Sequence, residues 1–304
     1  MQLSIIICAH NPRLDYLERV LQALKEQDLS SSEWELLLID NASSDPLAGA
    51  LNTSWHPHAR SVSEPEVGLT SARLCGIREA RSEIFVFVDD DNVLERDYLS
   101  ECVRISERHP HLGAWGGQEF HEFEGGEPHE TWKRDFWMPA KLKKEIWSNN
   151  YDRAAVPAGA GMCVRRDVAQ RYAELAAAHP LRSKLDRKGT ALESCGDFDM
   201  AFTACDMALG IGRFPSLRLA HLIPRERLTD DYLLRLIEGI SYSDTVLIAS
   251  RHGIPAKPCR VDRLVDFYKR LRMPKLQRSV ARAVVGGRMR ALNDLADARN
   301  VSAL

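Results

Sequence analysis

The chain has 304 residues, 44% hydrophobic and 28% charged, with a formal net charge of -2, so it can bury a large core and offers nucleic acid no overall attraction. Its seven cysteines are scattered, odd in number and form no CxxC pair, which argues against a disulfide framework or zinc cluster and for a reducing compartment. The apolar run at the start lacks the basic flank and length of a signal peptide, and no uncharged stretch is long enough to span a bilayer; the expectation is a cytoplasmic protein.

Residues 3–8 are an apolar run that breaks at Ala9-His10-Asn11-Pro12, a strand entering a turn. Leu14, Leu17, Leu21 and Leu24 then recur at helical spacing. Residues 34–39 read as a second buried strand, closed by the turn-forming Asp40-Asn41-Ala42-Ser43-Ser44-Asp45. A short third strand is expected over 59–63, and a helix over 68–80 with Thr70 or Ser71 as its N-cap. The run Ile84-Phe85-Val86-Phe87-Val88 has the composition of a strand buried on both faces. It stops in three carboxylates, Asp89-Asp90-Asp91. Burying them unpaired is too costly, so they stand in water at the strand's exit, as an ordinary polar turn or as ligands of a hard divalent cation able to grip phosphates. Strands alternating with helices predict a mostly parallel sheet covered on both faces, in which ligands bind at the carboxyl ends of the strands.

In the second half a helix is expected over 98–108 and a strand over 112–115, ending at Gly116-Gly117. Residues 118–155 carry Trp132, Phe136, Trp137, Trp147 and Tyr151 without a period, the mark of a loop-rich functional segment. Residues 156–164 read as a glycine-bearing strand, 217–221 as extended, and 167–178, 199–209 and 230–250 as helices. Over 260–290 basic residues outnumber acids between apolar positions. Such a segment suits either an anionic membrane surface or a terminal helix pair with a solvated basic face.

Taken in order, Ser4-Ile5-Ile6-Ile7-Cys8-Ala9-His10-Asn11, the Asp40–Asp45 turn, and Gly68-Leu69-Thr70-Ser71-Ala72-Arg73 ahead of Phe87-Val88-Asp89-Asp90-Asp91 are followed by Gly196-Asp197-Phe198-Asp199-Met200-Ala201 and Leu219-Ala220-His221. This ordered set, covering residues 3–225, resembles the family 2 inverting glycosyltransferases. Two departures stand out: Leu74 follows the arginine where the family often has Asn, and Gly196 precedes Asp197 where an acid is common. The resemblance implies an α/β protein of the A-type glycosyltransferase fold: a Rossmann-like, mostly parallel mixed sheet flanked by helices, with a helical C-terminal extension. The expected division is 1–225 as the transferase domain, with a nucleotide-sugar-binding half (1–117) and an acceptor half (118–225), followed by 226–304.

The same resemblance suggests roles. Asp91 is the expected ligand of Mg2+ or Mn2+, and His221 either adds a nitrogen ligand or is a satisfied edge residue. Asp89 and Asp90 face the donor, and Ala9 and Asn11 the nucleotide base. Asp40 receives the imide N–H of uracil, or only closes an Asx-turn. Arg73 meets a phosphate, or is an exposed helix arginine. Asp197 is the expected general base, with Asp199 next (unless it only caps its helix) and Glu193 third. The aromatics between 132 and 151 stack on a sugar, cover an acceptor lipid, or form a satellite cluster. The implied partners are a nucleotide-sugar donor, UDP-linked by this reading, and a saccharide or lipid-linked acceptor, with peripheral contact to the inner face of the cell membrane through 260–290 and no nucleic acid. A nucleotidyltransferase of similar fold and an inactive nucleotide-sugar-binding scaffold are the competing readings.

Overall fold

Runs of Ile and Leu drive β1 (Leu3–Ala9) and β2 (Trp34–Asn41) into adjacent strands covered on both faces; every residue of β2 is buried, and in β1 all but Cys8. The computed structural model describes residues 1–49, 51–133, 141–182 and 185–301; Phe136 and Trp137 lie outside them. After β1 come α1 (Leu14–Lys25), β2, β3 (Ala59–Glu64), α2 (Leu69–Glu79), β4 (Ile84–Asp89), β5 (Asn92–Leu94) and α3 (Tyr98–Arg108). Then follow β6 (Leu112–Phe123), α4 (Glu130–Trp132), β7 (Ile146–Ser148), β8 (Met162–Arg165), α5 (Arg166–Ala178), α6 (Gly196–Asp206) and β9 (Gly210–Ile223). The chain ends in α7 (Asp230–His252), α8 (Arg260–Leu271) and α9 (Lys275–Val301).

Among the described residues the sheet has nine strands in the order β3-β2-β1-β4-β8-β6-β9-β5, with β7 also on β9. Strands β3, β2, β1 and β4 are parallel. Beyond β4 the sheet becomes mixed: β8 is antiparallel to β4 and β6, β6 is parallel to β9, and β5 and β7 are antiparallel to β9. Alternation along β1 supplies both faces. Leu3, Ile5, Ile7 and Ala9 share one core with Leu17, Val20, Leu21 and Leu24 of α1 and with Tyr98, Leu99 and Cys102 of α3, while α2 covers Ile6 and Ile39 from the other side.

The chain forms two compact units, residues 1–175 with 196–225, and residues 176–195 with 226–304. Residues 176–195 group with the C-terminal helices. Within that unit Ser194 N–H donates to Ser243 Oγ of α7 at 2.9 Å, and Arg290 of α9 pairs with Glu193 at 2.8 Å.

Several elements differ from the sequence expectation. The N-cap of α2 is Gly68, without a side-chain cap, rather than Thr70 or Ser71; its N–H is taken by Asn41 Oδ1 at 2.8 Å, so a distant residue does the work of a local cap. The glycine-bearing strand shrinks to β8, because the chain turns at Gly161, where φ is +72°. Most consequential, β6 does not stop at Gly116-Gly117 but runs on to Phe123. The glycines form an irregularity where the register against β9 shifts between Gly116 and Gln118. A Cβ at Gly117 would lie 1.8 Å from the carbonyl oxygen of Leu217, so only glycine lets the two backbones pass. Gly117→Ala is therefore expected to destabilise the sheet by about 1–3 kcal/mol or more, by overpacking, and urea unfolding of the two proteins measures it.

Candidate active site at the carboxyl edge of the sheet

The parallel register of β1 with its neighbours sets Ala9 beside Asp40 and Cys8 beside Asp89. Polar strand exits far apart in sequence thus meet at one edge. The loops after β1 and β2 interlock there. Asn11, at φ +47°, receives the Ser44 N–H on its Oδ1 at 2.8 Å and donates its own N–H to Ser43 Oγ at 3.0 Å. His10 Nδ1 lies 2.6 Å from the Asn41 carbonyl oxygen. The Asn41 amide donates to the carbonyls of Glu64 and Glu66, at 3.2 and 2.6 Å, tying the end of β3 to the start of α2. Asp40 is buried and accepts the backbone N–H groups of Ser43 and Leu47 at 3.1 and 2.9 Å. Burial alone would raise its pKa, but these donors hold it below the usual value. Asp40 thus closes a local turn, through N–H groups three and seven residues on rather than the two of an Asx-turn, and also meets the Ser43 side chain.

The acidic triplet ends β4 and turns back as β5, which pairs antiparallel with β9 so that Asn92 stands opposite His221. Asn92 is fully buried and locks this turn: its Oδ1 accepts the Asp89 N–H at 3.2 Å and its Nδ2 donates to Asp91 Oδ1 at 3.0 Å. Asp91 is buried, and its Oδ2 lies 3.5 Å from His221 Nε2. On the other side of the ring, His221 Nδ1 is 3.2 Å from Glu119 Oε2. The continuation of β6 pairs His121 with His221 across the β6–β9 ladder, and one ligand atom from each of Glu119, His121 and His221 lies within 4.8 Å of the others. Burial works to lower the pKa of His221, but Asp91 and Glu119 outweigh it and raise the value to about 10. A proton held between carboxylates in this way marks where a cation is favourable. Glu119, His121 and His221 thus form a nitrogen–oxygen group that could hold a divalent cation, with Asp91 beside His221.

A second group forms beside Gly159. Asp197, in the first turn of α6, accepts the Phe198 N–H on Oδ1 at 2.8 Å and the Gly159 N–H on Oδ2 at 3.0 Å. Arg73 of α2 is 4% exposed rather than a surface arginine. A Cβ at Gly159 would meet Arg73 Nη2 at 2.8 Å and Asp197 Oδ2 at 3.5 Å, so both side chains crowd the same glycine. Burial pushes the Cys8 thiol up, against the opposing pull of Arg73 and with reinforcement from Asp89 and Asp90, so Arg73 and the triplet both act on this strand end.

Asp199 is fully buried in the first turn of α6. Glu193 lies in the other compact unit. Of the aromatics expected between 132 and 151, Trp132 is buried and Trp147 is half exposed. Tyr151 donates its hydroxyl to Asp206 Oδ1 at 2.7 Å and meets Phe202 edge-on, and Arg153 lies over the Phe198 ring. Sequence reasoning missed Glu119, His121 and Asn92. Once β6 is extended past Gly117, the spacing of Glu119 and His121 places them on one strand face, and that was the available signal.

A family profile described as Glycosyl transferase family 2 matches residues 4–173, more than half of the chain. Over 112 residues the chain is 24% identical to the poly(ribitol-phosphate) beta-N-acetylglucosaminyltransferase TarS of Staphylococcus aureus, and 28% identical to the uncharacterized protein y4gI of Sinorhizobium fredii. Both matches cover 36% of this chain but only 19% and 12% of those much longer relatives. Among solved structures, the mannosyltransferase PcManGT of Pyrobaculum calidifontis, in complex with GDP-Man and Mn2+, superposes with a TM-score of 0.58 at 19% identity, covering 100% of this chain and 81% of that one. S. aureus TarS 1–349 with UDP gives a TM-score of 0.51 at 14% identity, covering 98% and 92%. These likenesses show a shared A-type glycosyltransferase fold.

The His221 geometry carries a pH dependence. Its folded pKa of about 10 stands above the ordinary 6.5, so in chelator its contribution to stability is complete below about pH 6.5 and is lost as pH rises through about 10. The melting temperature of the metal-free protein is expected to fall over this window more steeply than that of His221→Asn, as followed by circular dichroism.

Proposed function

We propose that this chain, which belongs to glycosyl transferase family 2, moves a sugar from a nucleoside-diphosphate sugar to an acceptor hydroxyl with inversion at the anomeric carbon. The observation that carries the proposal is the convergence on one sheet edge of the triplet with His221, and of Asp197 with Arg73. A single direct displacement needs a stabilised leaving group, one base and a fixed line of attack, and no covalent nucleophile.

Asp91 and His221 would hold Mg2+ or Mn2+, with His121 beside them. Glu119 would take the Nδ1–H of His221 and so fix Nε2 as the ligating atom. A divalent cation at this position supplies neutralising charge to the departing diphosphate. Asp89 and Asp90 border the donor, and the loops at Ala9, Asn11 and Asp40 receive its base, a uracil imide matching the lone pairs left on Asp40. The nucleotides in the similar structures, UDP in TarS and GDP-Man with Mn2+ in the mannosyltransferase, support this donor class and the use of a divalent cation.

Asp197 takes the proton of the acceptor hydroxyl. It is only partly buried, whereas Asp199 has no exposed surface through which an acceptor reaches it. Arg73 sets the position of Asp197 around Gly159 and brings positive charge towards the triplet. The aromatic group of Tyr151, Phe198 and Phe202, on and beside α6, offers ring faces to a saccharide or lipid-linked acceptor, as expected in the synthesis of a surface polysaccharide or glycolipid. No helix among the described residues is long and apolar enough to cross a membrane; the proposed setting is the cytoplasm.

Calorimetry with UDP, GDP and their sugars in Mn2+, paired with an assay for nucleoside diphosphate release, tests the proposal; pyrophosphate release, or binding indifferent to metal, would sink it. Asp197→Asn is expected to lower kcat by roughly 100- to 10,000-fold while the donor Kd in Mn2+ barely moves. Asp91→Asn instead abolishes the metal dependence of donor binding. For Glu119→Gln, titration with Mn2+ is expected to show a loss of affinity of about 10- to 100-fold, the usual cost of disturbing a ligand's supporting hydrogen bond.

A further inference from the structure

Helix α8 is well formed and yet uncovered. Val261, Leu264, Val265, Phe267, Tyr268 and Leu271 are each at least 44% exposed. Their spacing places them on one face, while Asp262 and Asp266, four residues apart, share the opposite one. Both ends are closed by local chemistry. At the start, Cys259 Sγ accepts the Asp262 N–H at 3.5 Å and the Asp262 carboxylate accepts the Cys259 N–H at 2.9 Å. At the end, the Arg278 guanidinium donates to the carbonyls of Arg270 and Met273, both at 3.1 Å. The sequence thus specifies this helix while its apolar face has no partner among the described residues, and contiguous exposed apolar surface of this kind marks an interaction site.

Charge identifies the partner. Residues 257–278 contain eight Lys and Arg against two Asp, in a chain whose net charge is -2. A second copy docking through the same face would bring these positive charges together. Lys269, Arg270 and Arg272 flank the last apolar turn, where long basic side chains extend to phosphate headgroups while their stems and the apolar face enter the acyl boundary. By contrast α9, the other basic helix, has a packed face, with Ala291, Leu292 and Leu295 buried and Asp294 accepting the Tyr242 hydroxyl of α7 at 3.0 Å. The site is therefore α8 rather than the whole of 260–290. We infer that α8 is an interfacial helix that docks this chain on an anionic lipid bilayer.

Cosedimentation of the full chain with phosphatidylcholine vesicles, with and without phosphatidylglycerol, tests this without donor or acceptor, so its outcome is independent of the transferase reading. Binding is expected only with phosphatidylglycerol and to weaken as salt is raised. Leu264→Glu with Phe267→Glu, and separately Lys269→Glu with Arg272→Glu, should each lower partitioning by on the order of tenfold or more. All four side chains are exposed, so an unchanged melting temperature serves as the control for folding. Binding that ignores phosphatidylglycerol, that persists undiminished in either variant, or that is absent while the wild type forms a dimer abolished by Leu264→Glu with Phe267→Glu would overturn the assignment.

Discussion

Negative charge gathered at the end of a buried strand is the constraint around which this molecule is arranged. Three aspartates leave β4 together, and the continuation of β6 adds Glu119. Like charges this close cannot remain ionised in a partly dry site without compensation. The structure supplies positive charge from two sides: His221, whose proton is retained well above the ordinary histidine range, and Arg73, buried against Gly159 and Asp197. A site whose carboxylates favour positive charge in this way is one in which a divalent cation could take the same electrostatic role.

The backbone features that look irregular are the ones that make this arrangement possible. The glycine passage at Gly117 lets β6 stay paired with β9 past the point where it would otherwise end, and this carries Glu119 and His121 to His221. The three-residue strand β5 returns the acidic turn onto β9, with buried Asn92 bonded on both sides of the triplet. Asn41 does comparable work at the other end of the edge, holding three segments with one side-chain amide. None of these residues carries charge, yet each fixes the position of groups that do.

The two compact units divide the labour in physical terms. The first assembles its core by strand alternation and helix cover, and its polar edge is the candidate site. The second packs α7 and α9 through buried residues but, among the described residues, leaves the apolar face of α8 exposed. A helix of 12 residues is marginal in water without tertiary packing, and the lipid surface proposed above would supply the missing environment.

The sequence by itself determined the parallel half of the sheet and most of the helices. The run at 84–88 is apolar without a break, and those at 3–8 and 34–39 are apolar but for Ser4 and Glu35, a local pattern that suits doubly covered strands. It also put forward Asp91, Arg73, Asp197 and His221 as candidates, because they lie in ordered motifs close to strand and helix ends. Only the tertiary structure decided how these meet. Whether Gly116-Gly117 ends a strand or lets it continue depends on the backbone of Leu217, a hundred residues away. Whether Asp40 is a turn residue, and whether Asp199 is exposed, depends on which N–H groups and side chains close over them. Local pattern fixes periodicity and burial; pairing register and the approach of distant backbones are long-range properties, and they set the distances from which the chemistry follows.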